Sequence, residues 1–195
     1  MLYHVHEVTP FEAPPSSLLK IVIHVRCGDL LISPYYVCLL PNIYYINLSL
    51  RIIKVLKRLE IPFSCELHTE IPSQTFVVTP EHHSMRHRLE KPVIMNPENH
   101  HMEEFDIIPN LKKYINYDPL GSLRLLATAD LVIMNRFSFS YLRAMLNKKG
   151  IIVYHPFWCA APLEWLDATH KPSFHDRLLE ACLQWKKQKE SLWTT

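Results

Sequence analysis

Residues 130–154 read DLVIMNRFSFSYLRAMLNKKGIIVY, and the fold turns on this stretch. Its two ends, Asp130–Asn135 and Gly150–Tyr154, are apolar and rich in β-branched residues, as in strands buried on both faces. Between them, Ser138–Asn147 reads as a helix with Leu142, Met145 and Leu146 turned inward and Gly150 near its end as a stop. Strand, helix and strand in this order imply parallel pairing.

The same grammar extends outward. Ile21–Arg26 (IVIHVR) is a continuous β-branched run, again a doubly buried strand. Asn42 is placed to cap a helix reaching Leu59, with Ile46, Leu50, Ile53 and Leu56 on its apolar face and Pro62 beyond its end. Phe63–His68 predicts another strand, and Thr75–Thr79 and Pro92–Met95 predict shorter ones. Asp118 before Pro119 is a helix start, and that helix runs through Leu123, Leu126 and Ala127. Ser173 with Asp176 resembles a capping box opening a last helix through Trp185, where Lys186, Lys187 and Lys189 suit the negative end of the dipole. Residues 1–19 form an irregular amino-terminal segment and residues 20–195 a single domain. The expected class is α/β, a three-layer sandwich with a mostly parallel sheet whose strand order stays open.

Composition narrows the chemistry. The 195 residues are 48% hydrophobic and 21% charged, with net charge +2, which excludes disordered and collagen-like classes and gives no pull towards nucleic acid. Gly28, Gly121 and Gly150 are the only glycines and lie too far apart for a G-x-G-x-x-G or Walker A loop. Five scattered cysteines form neither a thiolate zinc site nor a disulfide framework. His82, His83 and His87 lie close together, but after Pro80 in a polar basic segment they read as solvated loop residues, so no metal is expected. Leu30–Leu50 is free of charge over 21 positions, yet Pro34, Pro41, Asn42, Asn47 and four tyrosines break it. It reads as a buried loop leading into a helix, not a membrane span. Met1–Glu12 has no apolar run of signal-peptide length, so neither a leader nor an anchor is expected in this chain.

In open parallel sheets, ligands bind beyond the carboxyl ends of the strands. The exits carry Arg26-Cys27-Gly28-Asp29, then His68-Thr69-Glu70, Asn135-Arg136-Phe137-Ser138, and His155-Pro156-Phe157-Trp158. Arg26 at a strand end suits paired bonds to phosphate oxygens, or else a salt bridge to Asp29. The helix opening near Ser138 offers free N–H groups and two hydroxyls, Ser138 and Ser140, or else Ser138 is simply its cap. Phe157, Trp158 and Trp165 read as core or lid packing. No nucleophile–base pair stands at these strand ends, which speaks against an α/β-type phosphate-ester hydrolase.

His24-Val25-Arg26-Cys27-Gly28-Asp29 resembles the H-x-R-x-G-D motif of the fucosyltransferases of the α-1,2, α-1,6 and protein O-fucosyltransferase group. Ala129–Met134 followed by Phe137-Ser138-Phe139-Ser140 resembles their later motif, an A-D strand ending in S-S-F-S. Glu66–Glu70 is similar to the middle strand of the same domain, and GIIVYHPFW with Glu164-Trp165 is similar to the tail of eukaryotic, fungal-looking relatives. The resemblance implies a Rossmann-like domain, one half of a GT-B glycosyltransferase. It further implies a GDP-sugar donor of the GDP-fucose type, a glycan or glycoprotein acceptor, no metal or other cofactor, and the secretory pathway. Arg26 would be the catalytic residue, holding the β-phosphate, with His24 by the guanine. Gly28, Asp29, Thr69, Glu70, Ser138, Phe139 and Ser140 would line the donor site.

The chain departs from that pattern at Cys27, where a second arginine is usual, and at Phe137, which replaces the first serine. Only about 20 residues precede the first motif, too few for the family's acceptor-binding amino-terminal domain. Whether the chain is an enzyme therefore stays open. It is either a GDP-sugar-binding half that works with a missing amino-terminal half, or a non-catalytic relative serving as a ligand-binding or interaction module.

Overall fold

The computed structural model describes residues 17–27, 39–78 and 93–193. Among these described residues lie eight strands and four α-helices. The strands are β1 (Leu19–Arg26), β2 (Phe63–Glu70), β3 (Phe76–Val78), β4 (Val93–Met95), β5 (Leu111–Ile115), β6 (Leu131–Ile133), β7 (Ile151–Tyr154) and β8 (Leu166–Asp167). The helices are α1 (Asn42–Arg58), α2 (Pro119–Thr128), α3 (Ser138–Leu146) and α4 (Lys171–Trp193). Six strands make one sheet in the order β5-β2-β1-β6-β7-β8, and every pairing in it is parallel. Counted along the chain, that order is 3-2-1-4-5-6, the doubly wound Rossmann-like arrangement. β3 and β4 form a separate antiparallel pair.

β1 lies at the centre and sorts the layers. Leu19, Ile21, Ile23 and Val25 pack with Ile52 and Leu56 of α1 and with Phe174 and Leu178 of α4. Val22 faces the other way and packs with Leu126, beside Ala144 of α3 and Val132 of β6. Alternation along a strand produces this split. Leu19, Ile21, Val22 and Ile23 keep no exposed surface. Each such side chain contributes about 1.5–3 kcal/mol on burial.

Helix starts differ in detail from the expectations. Asp118 caps α2 as expected, accepting from the Gly121 N–H at 2.6 Å. Pro41, not Asn42, is the N-cap of α1. The Asn42 amide instead reaches the carbonyls of His100 and His101 and the Glu104 carboxylate. α4 opens at Lys171, two residues before Ser173, whose hydroxyl bonds back to His170. Phe137, not Ser138, is the N-cap of α3.

The largest correction concerns the face of α3. Leu142, Met145 and Leu146, expected inward, are exposed, at 57% for Leu142. Ser140, Arg143 and Ala144 are the buried residues. Strands β5 and β8 escaped the sequence reading. The stretch 30–38 falls outside the described residues, as do His82, His83 and His87. No helix among the described residues is long and apolar enough to cross a membrane.

Candidate functional site at the crossover edge

Between β1 and β6 the chain reverses the direction in which it adds strands. The crevice at such a switch point, beyond the carboxyl ends of the strands, is where doubly wound folds hold ligands. His24 and Arg26 come from β1 on one side of it. Asn135 and the start of α3 follow β6 on the other.

His24 ties the two sides together. Its Nδ1 lies 2.5 Å from Ser140 Oγ and 3.1 Å from Asn135 Nδ2. An amide nitrogen only donates, so Nδ1 accepts here and the ring proton sits on Nε2. Ser140 then donates its hydroxyl proton to His24 and accepts from the Asn135 N–H at 3.3 Å. Burial, and after it the charges of Arg143 and Arg26, hold the His24 pKa well below the usual imidazole range. The ring is therefore neutral at physiological pH. Phe139 packs against it with centroids 5.8 Å apart.

Arg26 ends β1 in register with Glu70 at the end of β2. Their charged groups are 3.8 Å apart, and the Glu70 side chain is half-exposed. The Arg26 guanidinium also lies over the Phe137 ring at 5.0 Å. Phe137 meets the exposed Trp158 edge-on, and Trp158 meets Phe157, so an aromatic wall flanks the arginine. Trp165 belongs to the core.

α3 begins without a side-chain cap, so its first N–H groups are not satisfied by one. They stand beside the Ser140–His24 contact. Arg143, one helical turn on, is buried with its guanidinium 3.2 Å above the centre of the Phe139 ring.

The fold thus brings His24, Arg26, Glu70, Ser138, Phe139 and Ser140 to one edge. Ser138 is exposed there. Thr69 alternates to the opposite face, where its hydroxyl neighbours the buried Cys27 thiol. Burial raises the Cys27 pKa, so this thiol stays protonated. Gly28 and Asp29 lie outside the described residues. Two residues of the edge, Asn135 and Arg143, were not expected in the site. Asn135 stood in the strand exit, but Arg143 reads locally as an ordinary solvated position.

A second polar cluster lies deeper on the same face. Ser122 Oγ is 3.3 Å from His68 Nδ1, and Glu66 Oε2 is 3.6 Å from His68 Nε2. Tyr114 stacks on His68 at 4.7 Å. The order of groups is that of a charge relay, but Ser122 and His68 are both buried and the hydroxyl is not presented to solvent. Lys20 anchors Glu66 at 3.1 Å, which makes the set a strand-to-helix brace. No group of three metal-ligating side chains occurs among the described residues. A cavity of about 280 Å³ lies at the opposite, amino-terminal edge, lined by Asn147, Lys149, Gly150 and Trp185, away from these groups.

Comparison with protein-family models, curated proteins and solved structures finds no match to this chain.

Proposed function

We propose that the crevice between β1 and β6 binds the diphosphate of a GDP-sugar, of the GDP-fucose type, for glycosyl transfer to a hydroxyl of a glycan or protein. The observation that carries this reading is the meeting of Arg26, neutral His24 and the uncapped α3 start at the switch point. Each part suits an anion. Arg26 offers charge-assisted bonds, and the helix start offers backbone N–H groups with a positive dipole end. His24 offers an Nε2–H donor with no charge. The sequence resemblance supplies the nucleoside and the sugar class.

In the transfer step the bond between the anomeric carbon and the diphosphate oxygen breaks, and its electron pair leaves with GDP. An acceptor hydroxyl oxygen forms the new bond, and its proton passes to an oxygen of the departing diphosphate. Charge grows on the leaving diphosphate, and Arg26 is the group at the edge suited to stabilise it. Isothermal titration with GDP tests the site, on the wild type and on Arg26→Ala. The expected loss is roughly ten- to a hundredfold in affinity, the value of one charge-assisted contact. Equal affinities would make Arg26 a structural residue only.

A second reading, a ligand-binding module without turnover, is favoured by Cys27. Its protonated, buried thiol supplies no charge where the motif usually has an arginine. A GDP-release assay with glycan acceptors separates the two readings. Binding without release selects the module.

A further inference from the structure

We propose that Arg143 is a second anion-binding arginine of this crevice, meeting a phosphate group with its Nε and Nη1 donors. The proposal rests on reading the crevice as a phosphate site, not on which nucleoside occupies it.

Arg143 is 1% exposed, while Leu142 beside it on the same helix is 57% exposed. A helix that hides an arginine and shows a leucine to solvent inverts the ordinary hydrophobic order. Burying the leucine instead would have removed apolar surface from water and stabilised the fold. The inversion is accounted for if the buried cation has work to do inside.

The guanidinium is only partly satisfied. Nη2 donates to the Pro119 carbonyl at 3.2 Å. Nε and Nη1 are buried and have no hydrogen-bond partner among the described residues. A guanidinium carries five N–H donors, and a buried cation with open donors is costly unless an anion meets it. Glu70, the carboxylate that acts on it electrostatically, is half-exposed and engaged with Arg26. Burial, opposed by Glu70 and reinforced by Arg26, brings the Arg143 pKa down to about 10, so the group remains a cation at neutral pH.

The position is shared with the crevice. One face of the structure stacks Arg143 on Phe139, and Phe139 packs against His24. Arg143 and Arg26 both act electrostatically on the His24 ring, so two cations bear on one neutral imidazole. Glu70 acts on both arginines, as an ion pair with Arg26 and electrostatically on Arg143. The open donors of the buried Arg143 cation fit a diphosphate, whose several oxygens can accept from both arginines.

The test is isothermal titration of the full chain with inorganic pyrophosphate and with GDP, on the wild type, Arg143→Lys and Arg143→Gln. The expected result for Arg143→Gln is a loss of roughly ten- to a hundredfold for both probes, with Arg143→Lys keeping part of the affinity. Equal affinities in wild type and Arg143→Gln would overturn the proposal and leave the GDP-sugar reading standing. Arg143-dependent pyrophosphate binding with no added affinity for GDP would support the anion site and remove the nucleotide reading. Failure of the wild type to bind either probe would overturn both. A brace between α3 and α2 would lower the melting temperature of Arg143→Gln but leave affinity unmoved. If that variant does not fold, the Arg143 Nε–H resonance of the wild type is followed as pyrophosphate is added. A shift supports the contact, and an unmoved resonance rejects it.

Discussion

His24 is buried beside two guanidinium groups, and its imidazole is neutral in the folded chain. In the unfolded chain the same ring titrates near 6.5. Between the two values the unfolded state holds the extra proton. Stability is therefore fully present above pH 6.5 and falls as pH drops below it, by about 1.4 kcal/mol per pH unit for one such group. His100 is also buried with a lowered pKa and acts in the same direction, so the wild-type slope alone does not isolate His24. Urea unfolding at about pH 7.5 and about pH 5.5, on wild type and His24→Asn, does isolate it. The wild type should lose about 1.4 kcal/mol more than the variant over that interval. Equal losses would mean that the native ring takes up its proton as the unfolded one does. Glu70 gives a prediction of opposite sign for binding. Its carboxylate competes with any anion for Arg26 at 3.8 Å. Glu70→Gln should tighten pyrophosphate binding, by up to about fivefold, since an exposed pair is worth about 0–1 kcal/mol. Titration of the two proteins side by side reads this out, and weaker binding by the variant would show that Glu70 orients Arg26 rather than competing with the ligand.

α3 shows how an element can be legible while its orientation is not. Its bounds, Ser138–Leu146, are within one residue of the reading from the sequence. The side it buries is the reverse of the one expected, because Ser140 and Arg143 face a polar crevice that hydropathy does not reveal. Ser140 meets His24 across 116 positions of chain, a contact with no local signature. β5 was hidden for a related reason. LKKYI holds two lysines, and at the edge of the sheet one of them, Lys112, is exposed while Lys113 reaches Asp106. The turn that closes α3 depends on Asn147. Its side-chain amide donates to the Leu126 and Ala129 carbonyls, and its oxygen accepts from the Lys149 and Gly150 N–H groups. Asn147→Ala leaves buried carbonyls without donors, a loss of about 1–3 kcal/mol. Chemical denaturation should show that loss with the anion affinity retained, because the knot is at the far end of α3 from the crevice. A variant as stable as the wild type would mean that water or a rearranged turn satisfies those groups.

At the scale of the molecule, alternating strands and helices were readable, since each buried strand declares itself by local composition. The order 3-2-1-4-5-6 was not, since it is set by pairings between distant segments. The order nevertheless decides where a ligand can sit, by putting β1 beside β6 with their carboxyl ends together. Asp130 shows the division of labour between the two edges. It belongs to the motif that carries the sequence resemblance, yet its carboxylate accepts from the Lys20 N–H and the Trp185 indole, tying β1 and α4 at the amino-terminal edge. That edge is built for stability, and the opposite one holds the open donors of Arg143. Hydrogen exchange with and without GDP should therefore be asymmetric. Binding to the native state stabilises the whole chain, so amides that open only by global unfolding slow together. Amides that open locally slow only where the ligand lies. The first turn of α3, 138–141, and the ends of β1 and β2 should gain protection beyond the global effect. The 147–150 turn, beside the cavity at the other edge, should not. Local protection confined to 147–150 would place the ligand at the wrong end of the sheet, and the switch-point site would be abandoned however well the motifs match.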